Sequence, residues 1–358
     1  MRGSEVRVLF SGNGPPTFED SQRLKGYEVT HDQPFEGSLN ANESDRSIGG
    51  AIFDALSARM EDFGPSFAKY VEEYQTDRWL LFSDYVLQHP GRPNDAFVFS
   101  VLPAGDYLPA LTADFQSIAK KDFKDIQEVS EPMLRLLSDK RLFTFCFVVD
   151  PTRVITRNVS IVQGMLDRNI ARLIAKPDAS VRGEDIRKMR AMRRKAAAKG
   201  FNVRLFDNII VAATLAGFIS YLICKTRRAA RIGWFSDRDS ITAAHEAFAH
   251  HLYATNVTVF CQDKLDGWPG PMLGVNAPVA EGGTFWCDSF LRVPDYFAGL
   301  ASAWNVDQNT VPSPPAKYLQ VLMQGIAGHN NVRVLRLIFR VENDLLSVFS
   351  QSIAVTRL

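Results

Sequence analysis

The sequence predicts an α/β protein: a mixed sheet of about five strands flanked by helices, with an N-terminal helical segment before it and a basic helical insertion within it. Three observations carry this. Residues 78–87, RWLLFSDYVL, and 96–102, AFVFSVL, are rich in aromatic and branched side chains and are separated by HPGRPND, which reads as two strands joined by a turn. Residues 142–149, LFTFCFVV, are apolar throughout, as a central strand covered on both faces must be. The apolar helix candidate 208–224 leads into ARIGWFSDRDSI at 230–241. That stretch alternates Ile232 and Trp234 against Phe235 and Asp237 and ends in acids.

The elements follow in order. Residues 6–10 read as a short strand; Gly12 and Gly14 after it miss the spacing of a phosphate loop, because Pro15 and Pro16 follow. Residues 11–45 read as loop, and 48–60 and 65–74 as helices. After the two strands comes a helix over 113–139. Residues 158–199 read as helical, 203–206 as a short strand, 245–254 as a helix, 257–261 as a strand and 294–304 as a helix. Residues 309–315, NTVPSPP, read as a linker and the remainder as a small closing element. Three regions result: an acidic N-terminal region over 1–75, a main domain over 76–305 with the basic insertion at 155–205, and a C-terminal extension over 306–358.

The net charge of +1 hides an asymmetry. Residues 1–86 carry 15 acids against 8 bases, and residues 172–204 carry 11 Lys/Arg against three acids. Such a basic stretch suits nucleic acid or an acidic partner segment. Its candidate phosphate contacts are Arg187, Lys188, Arg190, Arg193, Arg194 and Lys195, with a solvated helix face as the plain alternative. The four cysteines form no C-x-x-C pair, which predicts reduced core residues of a cytoplasmic protein. The apolar run 209–224 has 16 residues and contains Thr, Gly and Ser, short for a span of about 20, so a buried helix is expected and no membrane span.

Three acids hold matching positions. Asp84 ends the apolar part of the first strand, Asp237 ends the strand 230–236, and Asp295 opens the helix VPDYFAGLASAW. On that helix Asp295, Ala298, Gly299 and Ser302 share a small face, which predicts close approach to the sheet. Each acid alone is also what a turn or a helix start favours. Their order, however, resembles the RNase H-like fold, and most closely the large, mostly bacterial family of uncharacterised RNase H-like proteins distantly akin to transposase and resolvase nucleases. That family has a first strand ending in Asp-Glu-Ser-Gly, a hairpin strand, a helix, a strand ending in Asp-Arg-Ser, and a C-terminal Ala-Asp-Leu-x-Ala-Gly helix. The matching residues here are Asp84-Tyr85-Val86-Leu87, Ser236-Asp237-Arg238-Asp239-Ser240 and Pro294-Asp295-Tyr296-Phe297-Ala298-Gly299, across 76–305. The first motif has neither Glu nor Gly, a departure that bears on catalysis more than on fold.

The resemblance implies a divalent-metal-dependent nuclease with Asp84, Asp237 and Asp295 as catalytic ligands and Asp239 as a fourth. Clustered carboxylates repel unless a cation lies between them, and hard oxygen donors suit Mg²⁺ or Mn²⁺. The alternative is a catalytically degenerate member of the fold that binds nucleic acid or protein in a larger assembly. Two other chemistries find less support. His245-Glu246-Ala247-Phe248-Ala249-His250 has one residue too many for a metalloprotease helix, leaving Glu246 as an auxiliary acid at most, and no G-x-S-x-G elbow is present.

Overall fold

A computed structural model describes residues 22–23, 27–31, 35–37, 48–156, 158–175, 183–237, 240–275, 286–327, 329–342 and 345–357. The chain runs β1 (Gln22–Arg23), β2 (Tyr27–His31), β3 (Phe35–Gly37), α1 (Ile48–Ser57), α2 (Met60–Glu73), β4 (Arg78–Val86), β5 (Asp95–Pro103), α3 (Leu108–Ile118), α4 (Glu131–Leu137) and β6 (Phe143–Val149). It continues through α5 (Val159–Ile174), α6 (Gly183–Ala196), α7 (Val203–Thr226), β7 (Arg231–Ser236), α8 (Ser240–Lys264), β8 (Met272–Val275), α9 (Arg292–Ala303), β9 (Thr310–Val311), α10 (Lys317–Val321), β10 (Val332–Glu342) and β11 (Leu345–Arg357).

The fold is α/β. A mixed sheet has the order β2-β11-β10-β6-β5-β4-β7-β8, with β3 also paired to β11. β4, β5 and β6 form an antiparallel meander; β7 joins β4 in parallel, β8 joins β7 in parallel, and β10 joins β6 in parallel. β5 and β6 are buried at every position, which is why both read as strongly apolar, with Ser100 and Thr144 hydrogen-bonded to each other between them. Side chains alternate across the sheet. Trp79, Leu81, Ile232 and Trp234 enter one core with α1, α2 and α5–α8, while Phe82 and Phe235 face the other with α3, α4, α9 and α10.

α7 is long and apolar enough to cross a membrane, but 89% of its apolar window is buried between the sheet and α8. Ala213 and Leu215 are fully enclosed, as a helix that is apolar all round requires.

Several expectations need correction. Residues 203–206 are the first turn of α7: the Asn202 side chain accepts the Leu205 N–H and caps the helix there. Residues 257–261 belong to α8, because an apolar face packs along α7 and outweighs the strand preference of Val-Thr-Val-Phe. The helix expected over 113–139 is two short helices with a 3-10 turn at Phe123–Asp125 between them. Residues 306–358 are no peripheral extension, since β10 and β11 complete the sheet. Nor is 1–75 separate, since α1 and α2 lie in the main core. Strands β1, β2 and β3 stand where 11–45 read as loop. The basic insertion also joins the core through Val162, Leu166, Met189 and Met192. The strand expected at 6–10 lies outside the described residues.

Candidate functional site

Asp84 and Asp237 are neighbours across the sheet. β4 and β7 run parallel with Ser83 opposite Ser236, and the Asp237 N–H donates to the Ser83 carbonyl at 3.2 Å, which carries the ladder one residue further. Leu80 and Phe82 on β4, and Phe235 on β7, face the α9 side, so the alternation turns Asp84 and Asp237 to that side as well. α9 starts over β4 and β7: Phe290, just before it, stacks on Phe82 at 5.1 Å, and Trp286 meets Phe235. It ends at the head of β5, where the Asn94 side chain donates to the Ala301 and Trp304 carbonyls. The helix therefore crosses the sheet at the end where the two acids stand.

Asp295 lies in the first turn of α9. Its Oδ2 accepts the Phe123 N–H at 2.7 Å. Burial pushes its carboxyl up to about 6, and the charges of Asp122 and Asp237 push the same way against the Phe123 N–H and Arg292. Asp237 is thus close enough to disturb Asp295. Arg292 is paired with Asp122, and Lys317 Nζ donates to the Phe123 carbonyl at 2.7 Å. α9 approaches β4 and β5 closely, as its small face predicts, and Gly299 has a further use. A Cβ on Gly299 would lie 2.1 Å from Phe123 Cδ1, so the gap at Gly299 takes the Phe123 ring. Among the described residues, no three His, Cys, Asp or Glu side chains gather as a metal centre would need. Asp239 lies outside the described residues.

A second polar group at this sheet end was not anticipated from the sequence. Asp95, at the head of β5, faces the α7 side and is fully buried. Arg153 Nη1 donates to its Oδ2 at 2.5 Å, Arg204 Nη2 lies 3.3 Å from the same oxygen, and the Gln88 N–H donates to Oδ1 at 2.6 Å. Arg153 also reaches Asn208 Oδ1 at 2.5 Å, and Thr156 Oγ1 donates to Asp207 at 2.5 Å. Burial raises Asp207 and lowers Arg153. Two arginines against two aspartates leave the group balanced, and it ties β5, the end of β6 and the first turns of α7 together. The sequence signal for it was the set of charged residues at strand ends and at the Asn202 cap.

The basic residues are divided by the structure. Lys188 and Lys195 donate to Glu246 at 2.7 and 3.0 Å, Arg193 pairs with Asp167 at 2.5 Å, and Arg187 pairs with Glu184 at 2.5 Å. Arg190 and Arg194 are exposed and have no acidic partner among the described residues. Glu246 is an ion-pair partner for α6, held on a break in α8 where His245, Glu246 and Ala247 have φ of 52°, 60° and 60°. All four cysteines are free thiols and buried.

The architecture defines an α/β protein that carries acids at one end of its sheet. Compared with protein-family models, curated proteins and solved structures, the chain matches none of them.

Proposed function

We propose that the chain is an RNase H-like, divalent-metal-dependent phosphodiesterase acting on nucleic acid in the cytoplasm. The observation that carries this reading is the register of β4 against β7. It sets Asp84 beside Asp237 on the face crossed by α9, whose Asp295 senses the Asp237 charge. The strand, its hairpin partner, the later Asp-ended strand and the acid-bearing helix come in the order expected from the resemblance, with β6, α8 and β8 as further elements between them. The donor set suits Mg²⁺ or Mn²⁺, because it is made of carboxylate oxygens alone. Asp84, Asp237 and Asp295 would hold the ion, with Asp239 as a fourth ligand. An ion held there would supply an activated water and would offset the charge of a phosphodiester. The protein's part is to hold the carboxylates in place: the sheet ladder fixes Asp237, and the Phe123 N–H fixes Asp295. Four buried thiols fit a reducing compartment.

A second reading is a catalytically degenerate RNase H-like subunit that binds nucleic acid or protein in an assembly. It is favoured by the absence of a gathered metal-holding group among the described residues and by the hydrogen bond already taken by Asp295 Oδ2. One experiment addresses both. Millimolar Mn²⁺ should raise the melting temperature of the parent and support cleavage of labelled DNA or RNA, because an ion that binds only the folded state stabilises it. Asp237→Asn should lose both effects and keep its fold. A parent with no thermal shift and no cleavage in Mn²⁺ or Mg²⁺ refutes the enzyme reading; retained nucleic-acid binding would then select the degenerate one.

A further inference from the structure

The six basic residues of α6 do two jobs, and the division follows from helix geometry. At about 100° per residue, Arg187, Arg190 and Arg194 fall within roughly 60° of one another and span about 10 Å along the axis. All three are exposed, while Ile186, Met189, Met192 and Ala196 are buried on the other side of the helix. Lys188 and Lys195 lie on one flank of the arginine stripe, toward α8, where both bind Glu246. Arg193 lies on the other flank, toward α5, where it binds Asp167. Asp185, on the buried side, meets His251 Nδ1 at 2.8 Å. The helix is therefore held on both flanks and cannot roll.

The acid on the α8 flank is placed at a cost. Three successive non-glycine residues, His245 to Ala247, have left-handed backbone angles, a strain that persists only where the surrounding structure imposes it. This turn carries Glu246 to the two lysines, whose hydrogen bonds and charges hold its carboxylate down to about 2. Lys188, Arg193 and Lys195 are spent on intramolecular acids. Arg187 shares Glu184, and Arg190 and Arg194 have no acidic partner among the described residues.

We propose that Arg187, Arg190 and Arg194 form a contact surface for the phosphate backbone of nucleic acid, and that Lys188, Arg193 and Lys195 are positioning residues that hold α6 so that this stripe faces outward. The proposal shares the nucleic-acid partner of the proposed function and does not depend on catalysis. Phosphate suits the stripe because a guanidinium presents two parallel donors to a pair of phosphate oxygens. A lipid surface suits it less, because the exposed face of α6 offers no large apolar side chain for insertion beside the charges.

The test is binding of the full chain to a short fluorescein-labelled DNA duplex, read by anisotropy across a salt series in EDTA, so that cleavage plays no part. Each neutralised phosphate contributes about 0.9 to the slope of log affinity against log salt. The triple variant Arg187→Ser, Arg190→Ser, Arg194→Ser should bind at least tenfold more weakly, with a slope shallower by about two to three, and should melt as the parent does. The double variant Lys188→Ser, Lys195→Ser should melt earlier while keeping the parent's slope. The proposal is overturned by a triple variant with unchanged affinity and slope, by lysine variants that lose as much slope as the arginine variants, by a parent that does not bind duplex at low salt, or by tighter binding to phosphatidylserine vesicles than to DNA.

Discussion

Gly299→Ala tests how the candidate site is held together. The added Cβ would lie 2.1, 2.7 and 3.0 Å from three Phe123 ring atoms, where carbon atoms normally rest about 3.5–4.0 Å apart. The ring must shift by about 1.5 Å, and little can yield. Tyr296 and Tyr318 pack on it, each with centroids 5.3 Å away, the Phe123 N–H is bound to Asp295, and its carbonyl is bound to Lys317. A shift this large with so little room puts the overpacking at the upper end of the usual range, about 2–3 kcal/mol, and the better helix propensity of Ala returns about 1 kcal/mol. A net loss of about 1–2 kcal/mol is expected, read as a lower urea midpoint with an unchanged slope. Phe123→Leu in the same chain should relieve the clash, so a double-mutant cycle should show a coupling of at least about 0.5 kcal/mol. A Gly299→Ala protein as stable as the parent, or a cycle without coupling, refutes the packing argument.

Two further outcomes follow from buried groups. Ala213→Arg would set an unpaired charge into fully enclosed space in α7 and should give insoluble protein; a soluble variant with unchanged melting would mean that α7 is not a core helix. Asp295, with a carboxyl raised from 3.8 to about 6, binds a proton more readily folded than unfolded, so its contribution to stability is greatest below about pH 4 and declines as pH rises through 6. Asp295→Asn should therefore exceed the parent's stability at pH 8 by on the order of 3 kcal/mol and converge with it near pH 4, as followed by urea unfolding without metal. A variant less stable than the parent at pH 8 would contradict this.

The four central strands were legible within a residue or two: in β5 and β6 burial on both faces makes the sequence strongly apolar, as in Phe143–Val149, and in β4 and β7 aromatic and branched side chains mark the buried stretch. The adjacency of Asp84 and Asp237 was legible from two strand ends that the resembling family sets side by side. What was not legible depended on contacts far along the chain. Val-Thr-Val-Phe at 257–260 is strand-like locally, and only packing along α7 makes it helix. Met272–Val275 is an edge strand of only four residues within a Gly/Pro-rich stretch, and its place comes from its register with Arg231–Trp234. The Phe123 ring that fills the Gly299 gap comes from a 3-10 turn that no periodicity marks. The division of the α6 cations was hidden for the same reason, since Asp167 and Glu246 lie on other helices.

The parallel pairing of β10 with β6, Val332 opposite Thr144, also has a consequence for how the chain is made. When β6 leaves the ribosome, its neighbour on that side does not yet exist. At about 5–20 residues per second, roughly ten to forty seconds pass before β10 is synthesised. Throughout that interval a strand of Phe, Thr, Cys and Val offers a bare row of backbone donors and acceptors, the kind of edge that recruits other chains. The half-built sheet is thus the state most exposed to aggregation, and a chaperone that shields apolar strands would act on this protein before β10 and β11 arrive and close that edge.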